Sequence, residues 1–273
     1  MGIIRKNMRV VSQREISAGI FSMWLDAPEV ACQAGPGQFV SLYSRDASRL
    51  LPRPISICES DARTGQIRLV YRIAGDGTRE FSALQAGDCI EVMGPLGNGY
   101  EMDVLKASRK AGHQNNESEA ARDLTALLVA GGIGIPPMLE LAKRLSCRKT
   151  IVLGYKDALF LDQDFSSLGE VVIAAEDGSC GVRGTVLDAI REKALQGDVI
   201  YSCGPAPMLK ALKQYALEKG IPAWISLEER MACGIGACLA CVCKTPEADE
   251  HTNVNNKRIC KEGPVFDARE VLL

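Results

Sequence analysis

Near the C-terminus, four cysteines stand in a spacing that constrains this chain more than any other feature. Cys233, Cys238, Cys241 and Cys260 read C-x4-C-x2-C followed, after eighteen residues, by a fourth C. This is the plant-type arrangement for a [2Fe–2S] cluster. Three thiolates must converge on one small inorganic core while the intervening amides turn inward, and Gly234 and Gly236 permit that tight wrap. The fourth ligand then arrives on a returning segment, KRIC. The alternative is zinc, which favours paired C-x2-C knuckles, and only one such knuckle occurs. Cys243 is a fifth cysteine nearby, read as a non-ligating neighbour.

The totals bound what surrounds this arm. The chain has 273 residues, with 32 basic and 34 acidic side chains and a net charge of −2. That length suits two compact domains and an appendage. The charge balance argues against nucleic acid or an anionic membrane surface as a partner. No uninterrupted apolar run reaches membrane-spanning length; Leu124 to Leu145 is broken by glycines, prolines and charges. The N-terminal MGIIRKNMRVV lacks the apolar core of a secretory leader. A cytoplasmic location is therefore expected. In that compartment 11 cysteines suggest metal binding or redox chemistry rather than disulfides.

Residues 1–107 read as short strands separated by Gly, Pro and Asp: RVVSQREI, GIFSMWLDA, QFVSLYS, ISICES, QIRLVYRIA and CIEVMGP. Their alternation predicts an antiparallel β-barrel. Residues 108–123 are polar and read as a linker or loop. From Leu124 apolar strands alternate with helices (LTALLVA, PPMLELAKRLS, TIVLGY, VVIAAE, DVIYSCG, APMLKALKQYALEKG), with AWISLEE as a last strand. This predicts an α/β domain over 124–226 with a parallel sheet. Residues 227–273 are assigned to the cluster arm. The fold class is thus multidomain: β-barrel, α/β domain, iron–sulfur arm.

Three further motifs sit where a parallel sheet or a barrel presents ligands. In VAGGIGIPPML a strand ends, Gly131, Gly132 and Gly134 turn the chain, and a helix begins, a context in which a diphosphate approaches bare backbone. The pattern is not G-x-G-x-x-G, and a plain tight turn is the alternative. In SCGPAPML, Cys203, Gly204 and Pro205 lie at the carboxyl end of a strand, on the edge where ligands bind. In LPRPISIC, Pro54 holds Arg53 extended, and a guanidinium suits phosphate. A lone exposed arginine is ordinarily solvated, but LVYRIAGDGT adds Gly75, Gly77 and Thr78 as open backbone and donors, and Tyr71 as a flat ring.

In order, Arg53-Pro54-Ile55-Ser56, Gly77-Thr78, GGIG and Cys203-Gly204-Pro205 resemble the ferredoxin–NADP reductase superfamily. ERMACGIGACLACVC and RICKEGPVFDAREV narrow this: the tail resembles the electron-transfer subunits of NAD-dependent (type B) dihydroorotate dehydrogenases. The resemblance implies FAD bound by Arg53, Pro54, Ile55, Ser56, Val70, Tyr71, Arg72, Gly77 and Thr78. It implies NAD at the α/β domain, with Cys203 near the hydride-transfer junction, and the cluster on the four cysteines. It also implies an FMN-containing catalytic subunit as partner, in a heterotetramer of two plus two. Electrons then run from dihydroorotate through that FMN, the cluster and FAD to NAD⁺, in pyrimidine biosynthesis. After TIVLGY, Lys156-Asp157 points neither way, but Asp162 and Asp164 follow nearby, and this acidic character favours NAD over NADP. The alternatives are a reductase-like subunit of a hydrogenase or glutamate synthase-type complex, and a nonenzymatic zinc-binding regulatory module.

Overall fold

The computed structural model describes residues 2–103, 124–248 and 253–273. The polar stretch 108–123 lies outside the described residues.

Six strands close the barrel: β1 (Ile4–Ser17), β2 (Ile20–Asp26), β3 (Phe39–Tyr43), β4 (Arg53–Asp61), β5 (Gln66–Arg72) and β6 (Cys89–Leu96). Their order is β1-β2-β5-β4-β3-β6, every neighbour antiparallel. Each strand sends alternate residues inward; Met8, Val10, Met23, Leu25, Val40, Leu42, Ile67 and Leu69 build one apolar core. All six strands expected from the sequence are present.

The second sheet contains β7 (Thr125–Gly131), β8 (Arg148–Tyr155), β9 (Glu170–Ala175), β10 (Val182–Arg183), β11 (Val199–Cys203) and β12 (Ala223–Ser226). Helices Ile135–Arg144, Val186–Glu192 and Ala206–Lys219 connect and cover it. β7 and β11 are buried throughout or nearly so, as a parallel sheet covered on both faces requires. No helix among the described residues is long and apolar enough to cross a membrane.

The arm contributes β13 (Val242–Lys244) paired with β14 (Asn256–Arg258), and then β15 (Val265–Asp267). β15 pairs antiparallel with β12 and completes a seven-stranded sheet of order β10-β9-β8-β7-β11-β12-β15. Residues 227–273 are therefore joined to the second sheet through β15. Phe266, Ile259 and Cys260 belong to the same apolar cluster as Leu127, Val129 and Ile200 of the sheet.

Barrel and α/β domain meet through helix Ile135–Arg144, which packs on β4. Buried Glu140 accepts from the Ser60 hydroxyl at 2.8 Å and the Ser60 amide at 3.1 Å. Arg68 of β5 donates to Glu59 at 2.6 Å and, across the junction, to Asp164 at 2.8 Å. Asp164, one of the acidic residues read as favouring NAD, takes part in this bridge.

Candidate functional site

A cavity of about 990 Å³ lies between the barrel and the second sheet, at the upper end of the range for small-molecule sites. One wall is Arg53, Pro54, Ile55 and Ser56 at the start of β4; another is Val70, Tyr71 and Arg72 at the end of β5, with Gly75 and Thr78 beyond. Strands β4 and β5 are neighbours in the barrel, so two motifs separated in sequence become one surface. Arg53, Arg72 and Arg230 line this space, and no ion pair to any of them is seen among the described residues. Uncompensated guanidiniums beside an apolar cavity fit a flat ring system carrying a diphosphate. Gly77 serves this arrangement without lining it: a Cβ there would stand 2.6 Å from Arg53 Nε.

One expected contact is corrected. The Tyr71 ring turns into the barrel, 1% exposed, stacks on Phe21 at 6.1 Å and donates its hydroxyl to Gln13 at 2.8 Å. Strand alternation commits that side chain to the core, so it does not present a face to a ligand. The Thr78 hydroxyl is likewise engaged: it accepts from the amides of Ala74 at 2.9 Å and Gly75 at 3.2 Å and donates to the Gly75 carbonyl. It closes the turn that shapes the cavity, which Thr78 also lines.

The third wall was not anticipated. Ser226, Leu227, Glu228, Glu229, Arg230 and Met231, running out of β12, face the cavity together with Ile133 from the GGIG loop. A strand that ends at the carboxyl edge of a parallel sheet is the available signal for such a wall. Glu228 presents its surface to this cavity, and loss of hydration raises its carboxyl pKa.

The glycine loops meet the same region from behind. β7 and β11 are adjacent and parallel, with Ala130 opposite Cys203, so the 131–134 and 203–205 turns touch. A Cβ on Gly134 would stand 2.4 Å from the Cys203 carbonyl oxygen, one on Gly204 2.4 Å from Met208 Cε, and one on Gly131 2.7 Å from Met208 Sδ. Backbone packing requires the glycine at 134, whereas at 131 and 204 the near atoms belong to the flexible end of Met208. Gly132 alone faces open space, at φ +52°. Pro205 precedes helix Ala206–Lys219 as its N-cap. The Cys203 thiol is 1% exposed, beneath Ser226 of the neighbouring strand, and burial raises its pKa. It backs the cavity wall and does not line it.

The four cysteines fall into two neighbouring pairs, Cys233 with Cys238 and Cys241 with Cys260, and among the described residues no three of them stand close enough together to hold one metal ion. The loop's amides aim at the sulfurs: Ile235 and Ala237 donate to Cys233 at 3.4 and 3.3 Å, Gly236 to Cys260 at 3.1 Å, and Cys260 to Cys241 at 3.4 Å. Burial works to raise the Cys233 pKa, but the amides of Ile235, Cys238 and Ala237 and the Cys238 thiol prevail and lower it to about 6. Burial first, and the Cys241 thiol next, push Cys260 up to about 12. Four thiol donors with amides turned toward the sulfurs are the donor set that a two-iron cluster takes. Gly234 and Gly236 turn this loop at φ +71° and +84°. Cys243, set apart by its contact with the Lys257 carbonyl at 3.5 Å, joins neither pair.

Two groups that hold the loop went unread in the sequence. Arg258 donates to the Gly236 carbonyl at 2.9 Å while its guanidinium is gripped by Glu262. Asn98 of the barrel side donates to the carbonyls of Lys261 at 3.1 Å and Glu262 at 3.0 Å.

Residues 228–272 match the iron–sulfur cluster binding domain of dihydroorotate dehydrogenase B, and residues 7–100 match the oxidoreductase FAD-binding domain. A relative from Geobacillus thermodenitrificans (strain NG80-2), named dihydroorotate dehydrogenase B (NAD(+)), electron transfer subunit, is 43% identical over 98% of this chain and 99% of its own. The chain belongs to this electron transfer subunit family. A member from Bacillus pumilus (strain SAFR-032) is also 43% identical, over 97% of each chain. Among solved structures, that of an NADH-dependent reduced ferredoxin–NADP oxidoreductase superposes with a TM-score of 0.81 at 28% identity, covering 97% of this chain and 89% of that one. A ferredoxin reductase of carbazole 1,9a-dioxygenase shares the fold at TM-score 0.62 and 20% identity, over 81% and 68%. The two matched domains coincide with the barrel that walls the cavity and with the segment that carries the four cysteines.

Proposed function

We propose that this chain is the electron transfer subunit of an NAD⁺-linked dihydroorotate dehydrogenase. In this reading it holds FAD in the large cavity, a [2Fe–2S] cluster on Cys233, Cys238, Cys241 and Cys260, and NAD⁺ at the edge marked by Gly132, Ile133 and Ser226. One observation carries it: Met231 lines the cavity and Cys233 enters the cysteine cluster, two residues apart on one short peptide. Two redox sites so joined form a relay, and a structural staple needs no such neighbour.

When bound, FAD supplies the exchange between single electrons and a hydride, which links a cluster to nicotinamide. The chain's own residues do the rest. Arg53, braced by Gly77, and Arg72 hold the diphosphate. Pro54, Ile55 and Val70 bound the ring's site. Ser226 and Leu227 close the face toward the second sheet, with Cys203 as a positioning residue beneath Ser226. Glu228 and Met231 exclude water from the side facing the cluster.

The partner is a catalytic subunit carrying FMN, which oxidises dihydroorotate to orotate, in an assembly of two plus two. Its docking face is the outer rim of the cysteine loop, where Ile235 and Leu239 are 45% and 61% exposed. Anaerobically purified protein is expected to show flavin and iron–sulfur absorption together, to be reduced faster by NADH than by NADPH, and to pass electrons from dihydroorotate only when the FMN subunit is added. A colourless, zinc-loaded protein sinks the proposal. The likeness to the ferredoxin–NADP oxidoreductase favours a second reading, a flavin and iron–sulfur subunit of another complex. That reading predicts no turnover of dihydroorotate with the FMN subunit present.

A further inference from the structure

Ser41 sits in the middle of β3, between β4 and β6, with Pro54 opposite on one side and Met93 on the other. Its hydroxyl is buried, 1% exposed, and has no hydrogen-bond partner. Native proteins seldom leave such a group unpaired, and an orphan hydroxyl among apolar side chains calls for a partner that completes the site. Alanine would fill the same space without the desolvation cost.

The surroundings show where that partner lies. A Cβ built on Gly234 would stand 3.0 Å from Ser41 Oγ, with Leu96 Cδ1 at 3.4 Å and Met93 Cε at 3.7 Å. Gly234 directly follows Cys233. The hydroxyl therefore abuts the cysteine loop from the barrel side, while the amides of Ile235, Gly236 and Ala237 reach the sulfurs from within the loop. Apolar Met93 and Leu96 offer it no strong acceptor. No cysteine sulfur is within hydrogen-bonding reach of the hydroxyl, so the acceptor left to it is an inorganic sulfide of the cluster that those cysteines would hold.

We propose that Ser41 is a hydrogen-bond donor to the iron–sulfur cluster, supplied by the barrel, which acts on sulfur at the Cys233 end and raises the cluster's reduction potential. The inference rests on the assignment of the four cysteines as ligands. One-electron reduction adds a negative charge that spreads over the sulfurs, and a donor aimed at them stabilises the reduced form more than the oxidised one. Pro54, opposite Ser41 on β4, lines the flavin cavity, so one strand pair bears on both redox sites.

The test is a mediated potentiometric titration with dithionite of the full-length, anaerobically purified protein. Reduced cluster is followed by electron paramagnetic resonance and flavin by visible absorption. Ser41→Ala is expected to lower the cluster midpoint and leave that of the flavin in place. Ser41→Thr, which keeps the hydroxyl, is expected to hold the wild-type cluster midpoint. An unchanged cluster midpoint in Ser41→Ala overturns the proposal. So does an equal fall in both variants, which marks a volume effect, or a joint shift of cluster and flavin, which marks general repacking. Protein that incorporates neither iron nor labile sulfide overturns the ligand assignment as well, and is distinguished by that lack from loaded protein indifferent to Ser41.

Discussion

Gly77 lies flat against the guanidinium of Arg53, so close that a Cβ would come within 2.6 Å of Nε and 3.0 Å of Cζ. Gly77 stands inside helix Asp76–Ser82, where alanine is the better helix former by up to about 1 kcal/mol. Gly77→Ala is therefore expected to melt no lower than the wild type, yet to displace Arg53 and weaken FAD binding at least tenfold, about 1.4 kcal/mol. Flavin fluorescence quenching and thermal melts on one preparation check both halves. Arg53→Ala is expected to weaken binding comparably, and the double variant to add little, because the two changes remove the same contact.

Arg68 ties the barrel to the α/β domain. Its side chain is 8% exposed, and it serves Glu59, Asp164 and the Ser22 hydroxyl together. Arg68→Met leaves nearly buried Glu59 to Lys143 alone. The expected loss is about 3 kcal/mol, the low end for breaking a buried pair. Urea denaturation reads it, and a loss near zero contradicts this account of the junction.

Gly236 combines a φ of +84° with a site where a Cβ would meet Lys261 Cβ at 2.8 Å. Gly236→Ala therefore strains the turn and pushes apart the two segments that carry Cys233 and Cys260. Iron and labile sulfide per chain are expected to fall by more than half while flavin content holds. Full cluster content in this variant contradicts the loop geometry.

Glu228 stands on the exposed rim of the cavity, and partial desolvation by the protein around it raises its carboxyl pKa. The folded chain then keeps this proton to higher pH than the unfolded chain. Stability through this group falls as pH climbs from the ordinary carboxylate value of about 4.3 through the folded value. Glu228→Gln, neutral throughout, is expected to melt higher than the wild type near pH 8, with the gap closing toward about pH 4. Flavin-free protein followed by circular dichroism gives the comparison, and a gap that grows on acidification refutes it.

Local patterning made the barrel readable: alternation in 9–16, 19–27 and 66–74 reports which residues share a face. It does not report which face is interior, and Tyr71 was misplaced for that reason. The thiol spacing was legible because a small inorganic core restricts where ligands can stand. The Ser226–Met231 wall, the Arg258 brace and the Asn98 contacts are products of long-range packing and have no local signature. The glycine loops show the same limit from the other side. Their strand-to-helix context was readable, but Gly131, Gly134 and Gly204 answer to neighbouring protein atoms, a demand visible only once β7 and β11 lie side by side.

The strand β15 closes the exposed margin of the second sheet, and it follows Cys260 by only five residues. An uncovered margin is a template for pairing with other chains. β15 covers that margin of β12, so the segment that brings the fourth cysteine also keeps the sheet from pairing with another chain.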